Sequence, residues 1–96
     1  MADGMQVSVA WSPSKTTRPT NGVYSTVAFF PHDPDWPRES WSVTLRFDPP
    51  SAANEHPAKA TAEFLNPDAA PKNLLTKGAS FAMLERYRIT ALVVVD

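Results

Sequence analysis

The side chains best suited to chemistry are concentrated in one short segment, residues 32–39. This segment places an imidazole, three carboxylates, a guanidinium and an indole within eight residues. A metal site would require the imidazole and the aspartates to converge, but the ligand spacings typical of zinc and calcium are absent and the prolines favour an extended backbone. General acid–base catalysis would require a desolvated carboxylate, which an exposed, proline-rich segment does not provide. We therefore predict neither a metal nor a catalytic site there.

Recognition of a partner suits residues 32–39 better. Trp36 and Arg38 are residue types that anchor protein interfaces, and proline lowers the entropy lost when a loop binds. The alternative is a solvated connection in which Trp36 packs over one end of the fold. A third interpretation, an enzyme that uses this segment, would depend on groups such as His32 and Asp35.

Nucleophiles and redox-active ligands are scarce in the rest of the chain. There is no cysteine, which excludes disulfides, thiolate nucleophiles, zinc–thiolate sites and iron–sulfur clusters within it. The serines lie in no Gly-x-Ser-x-Gly motif, and only two histidines are available to activate them. The sequence therefore predicts a protein without enzymatic activity, and it indicates no metal or cofactor.

Four basic residues are candidates for binding an anion. Lys15 and Arg18 belong to one predicted loop, while Arg86 and Arg88 flank a predicted hairpin tip, and together they could form a small basic patch for RNA or a nucleotide. The alternative is four separately solvated charges. The formal net charge of −1 argues against a broad positive field, so nucleic acid is disfavoured as a partner, although a local patch is compatible with it.

The elements that position these residues are predicted by apolar and polar side chains that alternate with a period of two. This pattern indicates strands and recurs six times, separated by connections rich in proline, glycine and asparagine. The predicted strands are residues 5–12, 23–30, 40–48, 58–64, 79–85 and 89–95. The alanine-rich stretch 58–64 could suggest a helix, but Pro57 and Pro67 would limit a helix to about two turns.

These strands predict an all-β fold, a small closed or partly open antiparallel six-stranded β-barrel, with residues 1–96 as one domain. A barrel buries one face of every strand and hides the strand edges. We expect an interior shared by side chains of the third and last strands, which are Trp41, Val43, Leu45 and Phe47 with Ile89, Val93 and Val95.

The opposite face of the last strand is also apolar. Leu92 and Val94 would then lie outside the barrel, near Tyr87 of the preceding turn. Such an exposed apolar patch predicts a docking surface for a protein partner or a second copy. The alternative is that a long loop covers it.

Residues 64–95 contain a pattern of proline, leucine, glycine and a Phe-x-Met-Leu-Glu hairpin before a valine-rich strand. The residues in question are Phe64, Leu65, Pro67, Leu74, Leu75, Gly78, Phe81, Met83, Leu84, Glu85, Arg88 and Ala91 to Val95. This pattern resembles the end of the β-barrel domains of translation elongation factors of the Tu type, with Arg86 and Val93 where that pattern has glycine. The resemblance implies a barrel that docks to another molecule. No phosphate-binding Gly-x-x-x-x-Gly-Lys-Ser/Thr loop is present, so GTP hydrolysis is not implied.

The function predicted from the sequence is a non-catalytic binding or interaction module that docks to a protein partner or to itself. The candidate binding residues are Trp36, Arg38, Tyr87, Leu92 and Val94. The alternative is a small barrel that binds an anionic ligand through Lys15, Arg18, Arg86 and Arg88. No stretch reaches the ~20 apolar residues of a membrane span and no signal peptide begins the chain, so we expect a cytoplasmic protein without a membrane partner.

Overall fold

The chain folds into a closed antiparallel β-barrel, seen in a computed structural model that describes residues 4–15, 17–36 and 40–96, without the Lys72 side chain. The strands of the described residues are β1 (Met5–Trp11), β2 (Val23–Phe29), β3 (Trp41–Arg46), β4 (Ala58–Phe64), β5 (Ser80–Glu85) and β6 (Arg88–Val95). Their order around the barrel is β1-β4-β3-β2-β5-β6, and β6 closes the ring by pairing with β1. The predicted all-β class and six-stranded barrel are confirmed, including the alanine-rich β4.

One face of each strand lines the barrel interior, as the period of two predicts. The buried strand residues include Val7, Val9, Trp11, Tyr24, Ala28, Val43, Leu45, Ala58, Ala60, Ala62, Phe64, Phe81, Met83, Ala91, Val93 and Val95. Alanines on β4 leave room for aromatic rings from other segments, because so narrow a barrel has no space for large side chains from every strand. Phe30, just after β2, packs 4.8 Å from Phe81 and 5.9 Å from Phe64 between ring centroids. The interior is therefore a packed core.

The inward position predicted for Ile89 is wrong. Ile89 is 47% exposed, whereas Thr90 is buried. The cause is a β-bulge, because Met83 pairs with Ala91 and Leu84 pairs with Ile89, which leaves Thr90 as an extra residue on β6. The extra residue reverses the alternation on its N-terminal side, so Ile89 faces outward together with Leu84.

One end of the barrel is covered by the connection between β3 and β4. This connection contains a 3-10 turn, Pro50–Asn54, whose Ala52 and Ala53 are buried. The Trp11 indole Nε1 donates a 2.8 Å hydrogen bond to the Ala53 carbonyl oxygen and so ties the turn to β1. A second 3-10 turn, Lys72–Leu74, precedes β5. Within the described ranges, no helix has the length and apolar character needed to cross a membrane.

Candidate interaction surfaces

The outer face of β2, β5 and β6 is apolar, although the outside of a barrel is usually polar. The strand register aligns Val27 with Leu84 and Ile89 in one row, and Phe29 with Ala82 and Leu92 in the next, with Ser80 and Val94 in a third. Leu92 is 58% exposed and Val94 is 46% exposed. We call these rows the apolar face; its apolar side chains that are at least partly exposed come from all three strands, whereas Ser80 is polar and Ala82 is buried.

A groove of about 750 Å³ lies on the apolar face. It is lined by Val27, Phe29, Trp36, Ser40, Leu84, Arg86, Tyr87 and Ile89. The Trp36 ring packs 5.6 Å from the Phe29 ring, so the loop after β2 forms one wall. Tyr87, at the turn between β5 and β6, is fully exposed and forms another wall. Two aromatic residues selected separately from the sequence therefore line the same groove.

Leu92 and Val94, the other predicted docking residues, lie on the apolar face beside the groove. Trp36 contacts Phe29 on the outer surface of β2. Arg38, also predicted as a binding residue, lies outside the described residues, as does Glu39. The sequence analysis did not predict that Ile89 lines the groove, because the bulge that turns it outward cannot be recognised from the apolar pattern of the sequence.

A hydrogen-bonded cluster, which sequence reasoning missed, lies at the hairpin end of the barrel. The Tyr24 hydroxyl donates to Glu85 Oε2 at 2.5 Å and lies 2.6 Å from Thr90 Oγ1. Lys15 Nζ lies 2.7 Å from the same Glu85 oxygen and 5.1 Å from the centroid of the Tyr24 ring. These contacts bridge the gap where β2 and β5 separate, since those strands pair only from Val27 to Phe29 on β2.

The cluster shifts the acidity of two of its members. Burial, followed by the hydrogen bond to Glu85, raises the pKa of the Tyr24 hydroxyl well above its usual range. The hydrogen bonds from Lys15 and then from Tyr24 lower the pKa of the Glu85 carboxyl. The cluster thus holds a neutral phenol beside a carboxylate and an ammonium, which is a structural arrangement that joins three segments.

The four basic residues of the alternative prediction lie around two clefts at this end. Lys15 and Arg18 line a cleft of about 800 Å³ together with Pro50 and Ser51 of the 3-10 turn. Lys15 also lines a cleft of about 600 Å³, together with Arg86 and Arg88. Because Lys15 borders both clefts, the structure brings the four cations to one region, which we call the basic end.

A serine, a lysine and an aspartate meet on the outer surface of β1 and β4. Ser8 Oγ donates to Asp96 Oδ1 at 2.8 Å, and Lys59 Nζ donates to Ser8 Oγ at 2.5 Å. Serine–lysine pairs can act as nucleophile and base. Here Lys59 donates to the serine and forms an ion pair with Asp96 at 3.4 Å, and its side chain is 62% exposed. These contacts join β1, β4 and the residue that follows β6.

Of the segment predicted to be rich in chemistry, residues 32–36 are described, and His32 and Asp33 make local contacts there. His32 is exposed, and its ring packs edge-on 5.9 Å from the Phe30 ring. Asp33 Oδ1 accepts a 3.0 Å hydrogen bond from the Asp35 backbone amide, which is a local turn contact. Across the described part of the chain, no three His, Asp or Glu side chains are grouped so that they could hold a metal ion.

Comparison with known proteins finds no family model, curated protein or solved structure that matches the chain. The comparison gives no link between the domain and the elongation-factor barrels, so that resemblance stays a prediction from residues 64–95.

Proposed function

We propose that this domain is a non-catalytic interaction module that docks a partner protein in the groove of its apolar face. The observation that carries the proposal is the groove itself, which has Trp36 and Tyr87 as walls and Val27, Leu84 and Ile89 along its length. Tryptophan and tyrosine dominate binding energy at protein interfaces because they bury much apolar area and keep a polar group at the edge. Exposed apolar surface of this extent costs free energy in water, and docking would relieve that cost.

The charge beside the groove indicates the chemistry of the partner. Arg86 is the one charged side chain that lines the groove among the described residues, and it forms no ion pair with any of them. A guanidinium at the edge of an apolar groove favours a carboxylate in the partner. The proposed partner is therefore a protein segment that presents apolar side chains next to an aspartate or glutamate.

The test is affinity capture from a native lysate, with the purified domain as bait and matched surface variants. Ile89→Ser removes an apolar side chain from the groove, whereas Leu65→Ser removes one that is 64% exposed and does not line the groove. We expect one captured protein to be lost with Ile89→Ser and retained with Leu65→Ser. Arg86→Gln should weaken the same capture, because the partner carboxylate loses its cation.

Sedimentation velocity of the purified domain separates a partner from a second copy. A monomer that captures a protein in a groove-dependent manner supports the proposal. A dimer that dissociates when Ile89 is replaced by Ser would assign the groove to a second copy and overturn the assignment to a different protein. Capture that is the same for both serine variants would overturn the docking groove altogether.

The proposal includes the finer predictions made from the sequence. Its likeness to the elongation-factor barrels rests on the residue pattern of residues 64–95 alone. Its non-catalytic character rests on the sequence, which contains no cysteine and no Gly-x-Ser-x-Gly motif. Its cytoplasmic location rests on the sequence prediction and would be tested by cell fractionation with an antibody against the domain.

A further inference from the structure

We infer that the basic end is a binding site for a small ligand that carries two or more linked phosphates. The site would lie across the two clefts that share Lys15, with Arg18 on one side and Arg86 and Arg88 on the other. It adjoins the apolar groove, with which it shares Arg86 and Tyr87, but Arg18 and Arg88 do not line that groove.

The first argument is unbalanced charge. Glu85 is the one acidic residue that lines either cleft in the described part of the chain, and its carboxylate is engaged by Lys15 and by the Tyr24 hydroxyl. Arg18, Arg86 and Arg88 form no ion pair with any described residue, although Arg88 is near enough to Glu85 to help lower the pKa of that carboxyl. A chain of net charge −1 therefore gathers an excess of three positive charges in one place. Cations so placed repel one another, and an anionic ligand offsets that repulsion.

The second argument is the placement of the Arg18 guanidinium. Arg18 Nε is inaccessible to solvent and makes no hydrogen bond with the described residues. The guanidinium lies 5.8 Å from the centroid of the Trp11 ring, and Trp11 is itself fixed by its hydrogen bond to Ala53. The arginine is therefore held in one orientation at the cleft. Arg18 is only partly buried and lines the cleft, so the terminal nitrogens of its guanidinium are the atoms that can donate to a phosphate there.

The third argument is the backbone of Arg86. This residue is the first of the two residues that turn between Glu85 and Arg88, and its φ is 59°. Glycine adopts this left-handed conformation without steric cost, whereas a residue with a side chain is strained by it. The chain therefore has an arginine at a position where the turn favours glycine. Backbone strain of this kind is concentrated at functional sites.

The ligand class follows from the size and number of the cation groups. The clefts, of about 800 Å³ and about 600 Å³, fall in the size range of small-molecule sites. Because the two clefts meet at Lys15, they suit a ligand with two linked anionic groups, one directed to Arg18 and the other to Arg86 and Arg88. Bidentate arginine contacts are the usual means of phosphate recognition. A polynucleotide is disfavoured by the negative net charge of the chain.

The test is a titration of the ¹⁵N-labelled domain with inorganic pyrophosphate, followed by NMR, with ADP and a single-stranded oligonucleotide in parallel. We expect pyrophosphate and ADP to shift the amides near Lys15, Arg18 and Arg86 to Arg88, with affinity that falls as salt is added. Arg88→Gln should weaken pyrophosphate binding about tenfold, because it removes one charged contact. Lys77→Gln removes an exposed cation at the opposite end of β5, and it should change the affinity by less than about twofold.

The variant Arg86→Gly separates a loss of pyrophosphate binding from a loss of folding. Glycine suits the turn, so this variant should unfold at the same or a higher temperature than the original protein while it loses pyrophosphate affinity. Weaker binding together with an unchanged or raised Tm supports the site. No shift with pyrophosphate, equal losses in Arg88→Gln and Lys77→Gln, or binding confined to the oligonucleotide would each overturn it.

Discussion

The Tyr24 hydroxyl donates a 2.5 Å hydrogen bond to Glu85 Oε2 across the gap between β2 and β5. The two strands share only three paired positions, so this contact takes the place of a continued backbone ladder. Lys15, from the connection after β1, binds the same carboxylate and adds a third segment. Closure of the barrel at this end therefore depends on side chains as well as on the backbone.

Tyr24→Phe should lower the free energy of unfolding by about 1 to 2 kcal/mol, because it removes a hydrogen bond to a charged group. The ring contact with Trp11, at 5.1 Å between centroids, would remain. Urea denaturation followed by tryptophan fluorescence measures this change. Tyr87→Phe is the matched control, since the fully exposed Tyr87 hydroxyl should contribute less than about 0.5 kcal/mol. Equal losses for the two variants would contradict a structural role for the Tyr24 hydroxyl.

The Glu85 carboxyl should make stability depend on pH in the acidic range. Its pKa is lowered in the folded protein by Lys15 and then by Tyr24, so the unfolded chain binds its proton more tightly. The resulting stability is present above the unfolded value of about 4.3 and is lost as the pH falls through the lower folded value. Glu85→Gln should therefore differ most in stability from the original protein near neutral pH, and the difference should shrink below about pH 4.

The measurement is a series of urea denaturations between neutral and acidic pH on both proteins. Glu55→Gln is the control, because the exposed Glu55 side chain makes no hydrogen bond or ion pair with the described residues. A difference between the original protein and Glu85→Gln that is constant across the series would show that the carboxylate charge does not stabilise the fold.

The bulge predicts different outcomes for two apolar residues of β6. Ile89→Ser should lower the free energy of unfolding by about 1 kcal/mol, because Ile89 is 47% exposed and loses only part of a full burial. Val93→Ser should cost about 3 kcal/mol, since Val93 is fully buried and the serine hydroxyl would enter the core without a partner. Thermal unfolding of both variants measures the contrast. If Ile89→Ser lowered the free energy of unfolding as much as Val93→Ser, Ile89 would face the core, as the sequence pattern predicts.

The contrast between Ile89 and Val93 shows which parts of the fold a sequence pattern can predict. Alternation identifies every strand of the described residues, because local patterning determines which side chains face the core. The bulge depends on how Met83 and Leu84 of β5 pair with β6, which is a relationship between strands and has no local signature. The Tyr24, Glu85 and Lys15 cluster was missed for the same reason, since its members are far apart in the sequence.

For the candidate surfaces, too, the sequence predicts individual residues but not how the fold brings them together. Residue type suggested Trp36 as an interface anchor and Lys15, Arg18, Arg86 and Arg88 as a basic patch, and the apolar outer face of the last strand suggested Tyr87. The groove that joins Trp36 to Tyr87 exists because β2 is next to β5 in the closed barrel, although β3 and β4 lie between them in the chain. Composition carries no information about that order, so the groove became visible only with the fold.

Arg86→Gly should raise the free energy of unfolding by about 0.5 to 1 kcal/mol. The left-handed backbone costs about 1 to 2 kcal/mol for a residue with a side chain, and the greater freedom of glycine in the unfolded chain offsets part of the gain. Arg86→Ala is the matched control, because it also removes the guanidinium but retains the Cβ atom that causes the strain. A gain in the glycine variant alone, measured by urea denaturation, would assign the effect to the backbone. Equal gains in both variants would show instead that repulsion among the cations of the basic end had been relieved.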